Sequence, residues 1–173
     1  MSVVLDGSAG ITLPDNGALS TSVGDVIVVS STGAVTTPYQ PSFYAYPSTA
    51  TVGSNTTVIK ALFQTAVHNI GNHYNASTAL FTAPVAGSYQ FNTNCRFDGV
   101  TAAYHNLRFF KNNVYLYGSY AISTLDGSYN TLSLGVVTNL QVNDTVSVHV
   151  YVSGDSSWNI EPSSSSFSGY LLG

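Results

Sequence analysis

Hydrophobic and polar positions alternate most regularly in the segment after Gly87. One set of alternate positions holds Tyr89, Phe91, Thr93, Cys95 and Phe97. The positions between them hold Gln90, Asn92, Asn94 and Arg96. A period of two is that of a β-strand with one buried face. We therefore predict a long strand here, and the turn residues Asp98 and Gly99 are expected to end it.

Similar patterns recur at regular intervals through the second half of the chain. Residues 107–110 and 114–117 flank Asn112 and Asn113, a pair that tolerates the positive φ angles of a hairpin turn. Further strands are predicted at Leu132, Leu134 and Val136, at Val146, Val148, Val150 and Val152, and over residues 167–172. Roughly eight to ten strands are expected and no segment has a helical period, which predicts an all-β fold.

A series of aromatic and turn residues precedes the long alternating segment. Its anchors are Phe63, Asn69, Tyr74, Phe81, Gly87, Tyr89 and Phe91. Because their spacing is irregular until the end, we predict strands joined by turns, with the aromatic rings filling the interior of a β-sandwich. Residues 57–67, rich in Val, Ile and Leu, are predicted as one strand region leading into this series.

Residues 1–37 differ in character from the remainder, because they contain no aromatic residue, no Lys and no Arg. Short apolar runs alternate there with Asp-Gly and Asn-Gly turns, which predicts a β-hairpin-rich arm. The runs are too short to form a core alone, so the arm is expected to lie against another subunit or another protein. The alternative is an edge hairpin packed on its own domain. Pro38 marks the predicted boundary with a head over residues 38–173.

The composition of the chain favours a protein that assembles and argues against nucleic-acid binding and membrane insertion. Charged residues make up only 7% of the chain, with a net charge of −4, and this weak repulsion between copies favours a protein that assembles. The four basic residues form no stripe for nucleic acid, and no apolar run is long enough to insert in a membrane. No secretory signal is recognised at the N-terminus, and Cys95 has no cysteine partner.

No catalytic or cofactor site is predicted. The four histidines lack ligand spacing, and the loop carboxylates lack the pattern of a dedicated calcium loop. The serines lack a nucleophile elbow, and the acids show no pairing of the glycosidase kind. The candidate surface residues for receptor binding are instead Tyr104, His105, Tyr120, Tyr129 and Trp158. Such rings stack on sugars, although the same tyrosines are also suited to packing between subunits.

The anchors from Phe63 to Phe91 resemble the signature of the C1q-like globular head, the trimeric jelly roll related to tumour necrosis factor. Five, four, six and five residues separate Phe63, Asn69, Tyr74, Phe81 and Gly87, as in that signature, and a Gly-x-Tyr-x-Phe segment follows. Thr93 departs from it, since the family places an aromatic residue there. The resemblance covers residues 38–173. It implies a ten-stranded antiparallel jelly-roll sandwich and a tight homotrimer with one face of each head buried at the axis.

The arm resembles the N-terminal modules of tailed-phage virion proteins in its small residues and repeated Asp-Gly turns. A C1q-like head usually sits on a collagen stalk, but this sequence has no Gly-x-y repeat, so the arm takes that place. We therefore expect a non-enzymatic virion protein, made in the host cytoplasm and exposed on the particle as capsid decoration or fibre knob. The arm would bind capsid or tail proteins, and the head would contact a host-surface glycan or protein. The alternative is a lectin-like recognition module of a bacterium.

Overall fold

The computed structural model describes residues 18–22, 24–100, 104–122 and 129–173. These residues form sixteen strands and one 3-10 turn, Pro162–Ser164, and the prediction of an all-β fold is confirmed. The strands are β1 (Ala18–Thr21), β2 (Gly24–Val29), β3 (Val35–Thr36), β4 (Ser42–Tyr46), β5 (Thr51–Gly53), β6 (Val58–Lys60), β7 (Thr65–Ile70), β8 (Tyr74–Asn75), β9 (Leu80–Thr82), β10 (Gly87–Asp98), β11 (Tyr104–Lys111), β12 (Val114–Ile122), β13 (Tyr129–Leu140), β14 (Thr145–Ser153), β15 (Trp158–Ile160) and β16 (Ser166–Leu171). Among the described residues, no helix has the length and apolar character needed to cross a membrane.

The described chain divides into two compact units, and the second begins at Pro41. In the first unit, β1, β2 and β3 form a three-stranded antiparallel sheet. The predicted apolar runs and turns of residues 1–17 lie outside the described residues. An anchoring role for residues 1–37 stays a prediction.

Two antiparallel sheets form the second unit. The larger has seven strands in the order β5-β15-β10-β16-β4-β7, with β13 paired to the other side of β10. The smaller has six strands in the order β12-β11-β14-β9-β8, with β6 beside β14. The two sheets enclose one apolar core, and the predicted jelly-roll sandwich is confirmed.

Strand β10 runs through the middle of the larger sheet because its alternation leaves one wholly buried face. Its five predicted inward side chains are all buried. The strand pairs with β13 without interruption from Gly87, opposite Leu140, to Asp98, opposite Tyr129. A shift of one residue would expose the whole buried set, so the sequence pattern fixes this register.

Stacked aromatic rings join the two sheets. The ring of Phe43 lies 4.5 Å from that of Tyr74 and 5.3 Å from that of Phe81, and it meets Phe167 edge-on at 4.8 Å. Offset and edge-to-face pairs at these distances are favourable arrangements for aromatic rings. Gly169 leaves the space in β16 over which Phe91 and Phe43 pack.

The signature residues form the structural centre of this core. Asn69 bonds both ways with the backbone of Tyr74, from Nδ2 to the carbonyl at 2.8 Å and from the amide to Oδ1 at 3.1 Å. The Tyr74 hydroxyl donates to the carbonyl of Phe63 at 2.9 Å, and the Tyr89 hydroxyl donates to that of Val85. Burial raises the pKa of the Tyr74 phenol far above its usual range. Each polar anchor therefore has a hydrogen-bond partner inside the sandwich.

Thr93, the departure from the signature, is accommodated by a hydrogen bond in place of a ring. Its side chain is buried, and its hydroxyl donates to the carbonyl of Ser166 at 2.8 Å. The neighbouring thiol of Cys95 is also buried. The substitution therefore changes local packing and leaves the strand in place.

Of two local predictions, the hairpin at Asn112 and Asn113 is confirmed and the single strand region over residues 57–67 is wrong. Asn112 and Asn113 adopt φ angles of 51° and 63° between β11 and β12, as the predicted hairpin requires. Residues 57–67, in contrast, do not form one strand region. Strand β6 pairs with β14 in the smaller sheet and β7 pairs with β4 in the larger one, so the chain crosses between sheets at residues 61–64. Composition alone could not reveal this crossing, because apolar residues continue through residues 61–63 between the two strands.

Replacing Gly169 by alanine tests how closely the sheets pack. An added Cβ would lie 2.5 Å from Phe91 Cδ1 and 2.8 Å from Phe43 Cε1. We expect Gly169→Ala to lower the free energy of unfolding by about 1–3 kcal/mol, the usual effect of overpacking a core. Urea titration followed by the fluorescence of the buried Trp158 measures this change.

The matched control is Val114→Ile in β12, which also adds one methyl group. Val114 is 68% exposed in the smaller sheet. The added group remains in solvent, so we expect a change within about 0.5 kcal/mol. Equal losses in the two variants would contradict the role assigned to Gly169.

Asp144 generates a prediction about acid stability. Hydrogen bonds from Lys111, then from Asn112 and the Gln141 amide, hold the pKa of its carboxyl at about 2, below the ordinary 3.8. A depressed pKa in the folded state stabilises the protein above the ordinary value, and this contribution disappears as the pH falls from 4 to 2. We expect Asp144→Asn to melt at a lower temperature than the wild type at pH 7. The difference should shrink between pH 4 and pH 2, and parallel melting curves over that interval would refute it.

Candidate interaction surfaces

The five predicted surface residues have three different environments. The rings of Tyr104 and Tyr120 lie together on neighbouring strands, 5.4 Å apart. Tyr129 is exposed, with the Arg96 guanidinium 4.5 Å above its ring. His105 and Trp158 are buried. Only Tyr104 and Tyr120 therefore share a site.

The prediction that His105 and Trp158 reach the surface was wrong. Trp158 is only 2% exposed, and its indole nitrogen donates to the carbonyl of Ser54 at 3.2 Å. Gly53 leaves room for this ring, because a Cβ there would lie 2.1 Å from it. His105 faces inward with the ring of Phe97 5.2 Å away. The alternation of His105 with Leu107 and Phe109 was the available signal, since those residues are also buried.

The outer face of the larger sheet is uncharged over most of its area. Register places Val137, Gln90, Tyr170 and Ser42 in one row across four strands. The next row holds Gly135, Asn92, Ser168, Tyr44 and His68. Val137 is 56% exposed, and Tyr44 and Tyr170 are also exposed. Arg96 and Asp98 form an ion pair at one end of this face, at 2.8 Å, and the Lys111 ammonium donates to the carbonyl of Asn139 near the other end of β13, at 3.0 Å.

The outer face of the smaller sheet carries a pocket of about 480 Å³. Its lining residues are Tyr104, Asn106, Arg108, Tyr115, Gly118 and Tyr120. The volume falls within the ~300–1,000 Å³ typical of small-molecule sites. We refer to it as the β11–β12 pocket.

Arg108 is one of the residues that line the β11–β12 pocket. Its guanidinium is 5.0 Å from the ring centroid of Tyr151 and 6.0 Å from that of Tyr115, and its Nε donates to Asn106 Oδ1. Asn106 is almost fully buried and also bonds the Tyr104 hydroxyl, at 3.5 Å. These contacts fix the guanidinium between aromatic rings.

His149 lies beside Arg108 on β14. Its ring stacks on Phe110 at 4.0 Å, and its Nε2 is 3.1 Å from Ser147 Oγ. Burial, followed by the positive charges of Lys60 and Arg108, lowers the pKa of His149 to about 4. His149 is therefore neutral at pH 7 and adds no charge to this face.

The remaining titratable groups do not converge. Within the described ranges, no group of three or more His, Cys, Asp or Glu residues is placed to hold a metal ion. His68 Nε2 bonds Ser42 Oγ at 2.8 Å, and Glu161 accepts bonds from Ser163 at the start of the 3-10 turn. Asp126, a carboxylate in a predicted loop, lies outside the described residues.

Comparison with known proteins agrees with this architecture. The sequence model of the C1q domain family matches residues 42–172. The globular domain of zebrafish complement 1qA protein is 18% identical with a TM-score of 0.60, over 78% of this chain and 98% of that one. Murine APRIL is 15% identical with a TM-score of 0.57, over 77% of this chain and 99% of that one. No curated protein matches the sequence.

A third solved structure, Eiger TNF from S. frugiperda, is 10% identical with a TM-score of 0.54, over 78% of this chain and 93% of that one. At such identities these structures show a shared fold. The residues that match the family model begin at β4 and end just beyond β16, so they include both sheets and all seven signature anchors. The chain therefore belongs to the C1q domain family.

Proposed function

We propose that this protein is a non-catalytic, homotrimeric recognition head. The observation that carries the proposal is the outer face of the larger sheet, with its exposed Val137, Tyr44 and Tyr170 among neutral polar side chains. Charged residues are depleted from the centres of protein interfaces and tyrosine is enriched there. Covering a face of this composition desolvates amides and hydroxyls, which costs far less than desolvating charged groups.

The proposed trimer leaves the β11–β12 pocket for a ligand. The pocket lies on the other sheet, so one subunit can assemble through the larger sheet and recognise a partner through the smaller one. Tyr104 and Tyr120 supply amphipathic rings of the kind that bind glycans and proteins at low cost in side-chain entropy. This use of Tyr104 and Tyr120 keeps the role proposed for them from the sequence.

A finer part of the proposal is that the head is displayed on a phage particle. Residues 1–37 would bind capsid or tail proteins, and the head would contact the host surface as capsid decoration or fibre knob. This part rests on the low-charge composition and on the sequence of the arm, since the family match begins at residue 42. The second candidate, favoured by the β11–β12 pocket, is a lectin-like recognition module of a bacterium.

The oligomeric state is tested by light scattering during size-exclusion chromatography. We expect a single species of three times the 18.2 kDa chain mass at micromolar concentration. Val137→Asp should shift it to the monomer, because it places a charge in the proposed interface. Val114→Asp is the matched control, since Val114 is 68% exposed at the start of β12 in the smaller sheet. A monomeric wild type, or equal effects of the two variants, would refute the proposed interface.

The site of display is tested by electron microscopy of the native source. An antibody against the head should label virions, on the capsid or at the tail. A variant that lacks residues 1–37 should leave the particles unlabelled while the free head keeps its oligomeric mass. Label on cells and none on particles would overturn the virion role and favour the bacterial module.

A further inference from the structure

Two basic residues align across the outer face of the smaller sheet. Register pairs His149 with Lys60 on one side and with Arg108 on the other, and Arg108 pairs with Gly118. The four residues therefore form one row across β6, β14, β11 and β12. The next row contains Val58, Tyr151, Asn106 and Tyr120. A row with two cations thus runs directly beside a row with two tyrosines.

These two cations are the ones that have no ion pair among the described residues. The chain has four basic residues, and Arg96 and Lys111 pair with Asp98 and Asp144, each at 2.8 Å. Lys60 donates to the carbonyl of Thr78 at 3.3 Å, and Arg108 donates to an amide oxygen. Burial is the main cause of the lowered pKa of the intervening His149, and the charges of Lys60 and Arg108 act in the same direction. In a chain of net charge −4, this face is where an anion is attracted.

The β11–β12 pocket has a volume of about 480 Å³, which is enough to hold a sugar ring. Gly118 keeps it open, because an added Cβ would lie 3.0 Å from the carbonyl of Leu107 and 3.1 Å from the Tyr115 hydroxyl. Tyr120 is 63% exposed at one side of the pocket, and Tyr104 lies beside it. Aromatic faces of this kind pack on the apolar face of a sugar ring.

We propose that the β11–β12 pocket binds a saccharide that carries a carboxylate. The Arg108 guanidinium receives the carboxylate, since it is rigidly held and its planar fork suits that group. Tyr120 and Tyr104 pack on the sugar ring, and the Lys60 ammonium adds attraction at longer range. Two cations are too few for a nucleic-acid backbone, which requires a basic stripe. The assignment rests on the proposed recognition function and names its ligand class.

The probe is trigalacturonic acid, and its fully methyl-esterified form is the matched neutral ligand. Isothermal titration on the full chain should show that the acid binds at least about tenfold more tightly than the ester, the effect of losing one hydrogen bond to a charged group. In NMR spectra, the acid should raise the pKa of His149, because a bound carboxylate offsets the charges of Lys60 and Arg108. The ester should leave that pKa unchanged.

Arg108→Gln should weaken binding of the acid at least about tenfold and bring it close to that of the ester. Arg96→Gln is the matched control, since it removes the same charge from the other sheet and should leave binding unchanged. Tyr120→Ala should weaken binding of both ligands, whereas Tyr120→Phe should retain it. Melting temperature and oligomeric mass report whether each variant is folded.

Equal affinity for the acid and the ester would overturn the acidic ligand and leave the recognition function standing. If neither ligand binds, the proposed ligand class is wrong. The oligomeric mass of the wild type tests the proposed trimer independently of that result. A triglutamate peptide that binds more tightly than trigalacturonic acid would assign the pocket to acidic protein segments and overturn the saccharide. The comparison of acid with ester on the wild type holds even if Arg108→Gln fails to fold.

Discussion

The packing of aromatic rings between two sheets is the constraint on which the rest of this structure depends. Phe43 from the larger sheet contacts Tyr74 and Phe81 from the smaller one, and Phe167 meets it edge-on. Such an arrangement needs a gap in β16, which Gly169 supplies, and partners for each buried hydroxyl, which nearby backbone carbonyls supply. Burial of these rings provides a large part of the apolar area that stabilises a domain of this size.

The inward side chains of each strand form this core. The outward side chains of the same strands can therefore contact other subunits or ligands. The outer faces of the two sheets differ in charge. The larger sheet presents tyrosines and amides, with its ion pair at one end. The smaller sheet presents Lys60 and Arg108 without carboxylate partners among the described residues. The outer face of the larger sheet is thus suited to self-association and that of the smaller sheet to an anionic ligand, in a chain with few charged residues.

Much of the fold could be predicted because its strands are strongly periodic. The alternation in β10 and β14 and the Asn112–Asn113 hairpin appear in the structure as the sequence suggests. The failures have local causes. Trp158 follows two serines, a composition typical of a surface loop, although it begins β15, and His105 lies between the polar residues Tyr104 and Asn106, although it faces inward from β11. The cationic row could not be predicted, since Lys60, His149 and Arg108 come from three distant segments whose register only the folded sheet defines.

The low charge of the protein makes this row more significant than the same residues would be elsewhere. In an ordinary domain about a quarter of the residues are charged, against 7% in this chain. Here an uncompensated pair of cations produces a local field that few other groups oppose. A single open pocket on such a face gives only modest affinity, because the ligand remains partly solvated. The proposed trimer carries three copies, and simultaneous binding to a repeating acidic polysaccharide would raise the total affinity well beyond that of one pocket. In the proposed function, assembly through the larger sheet would therefore complement recognition through the smaller one.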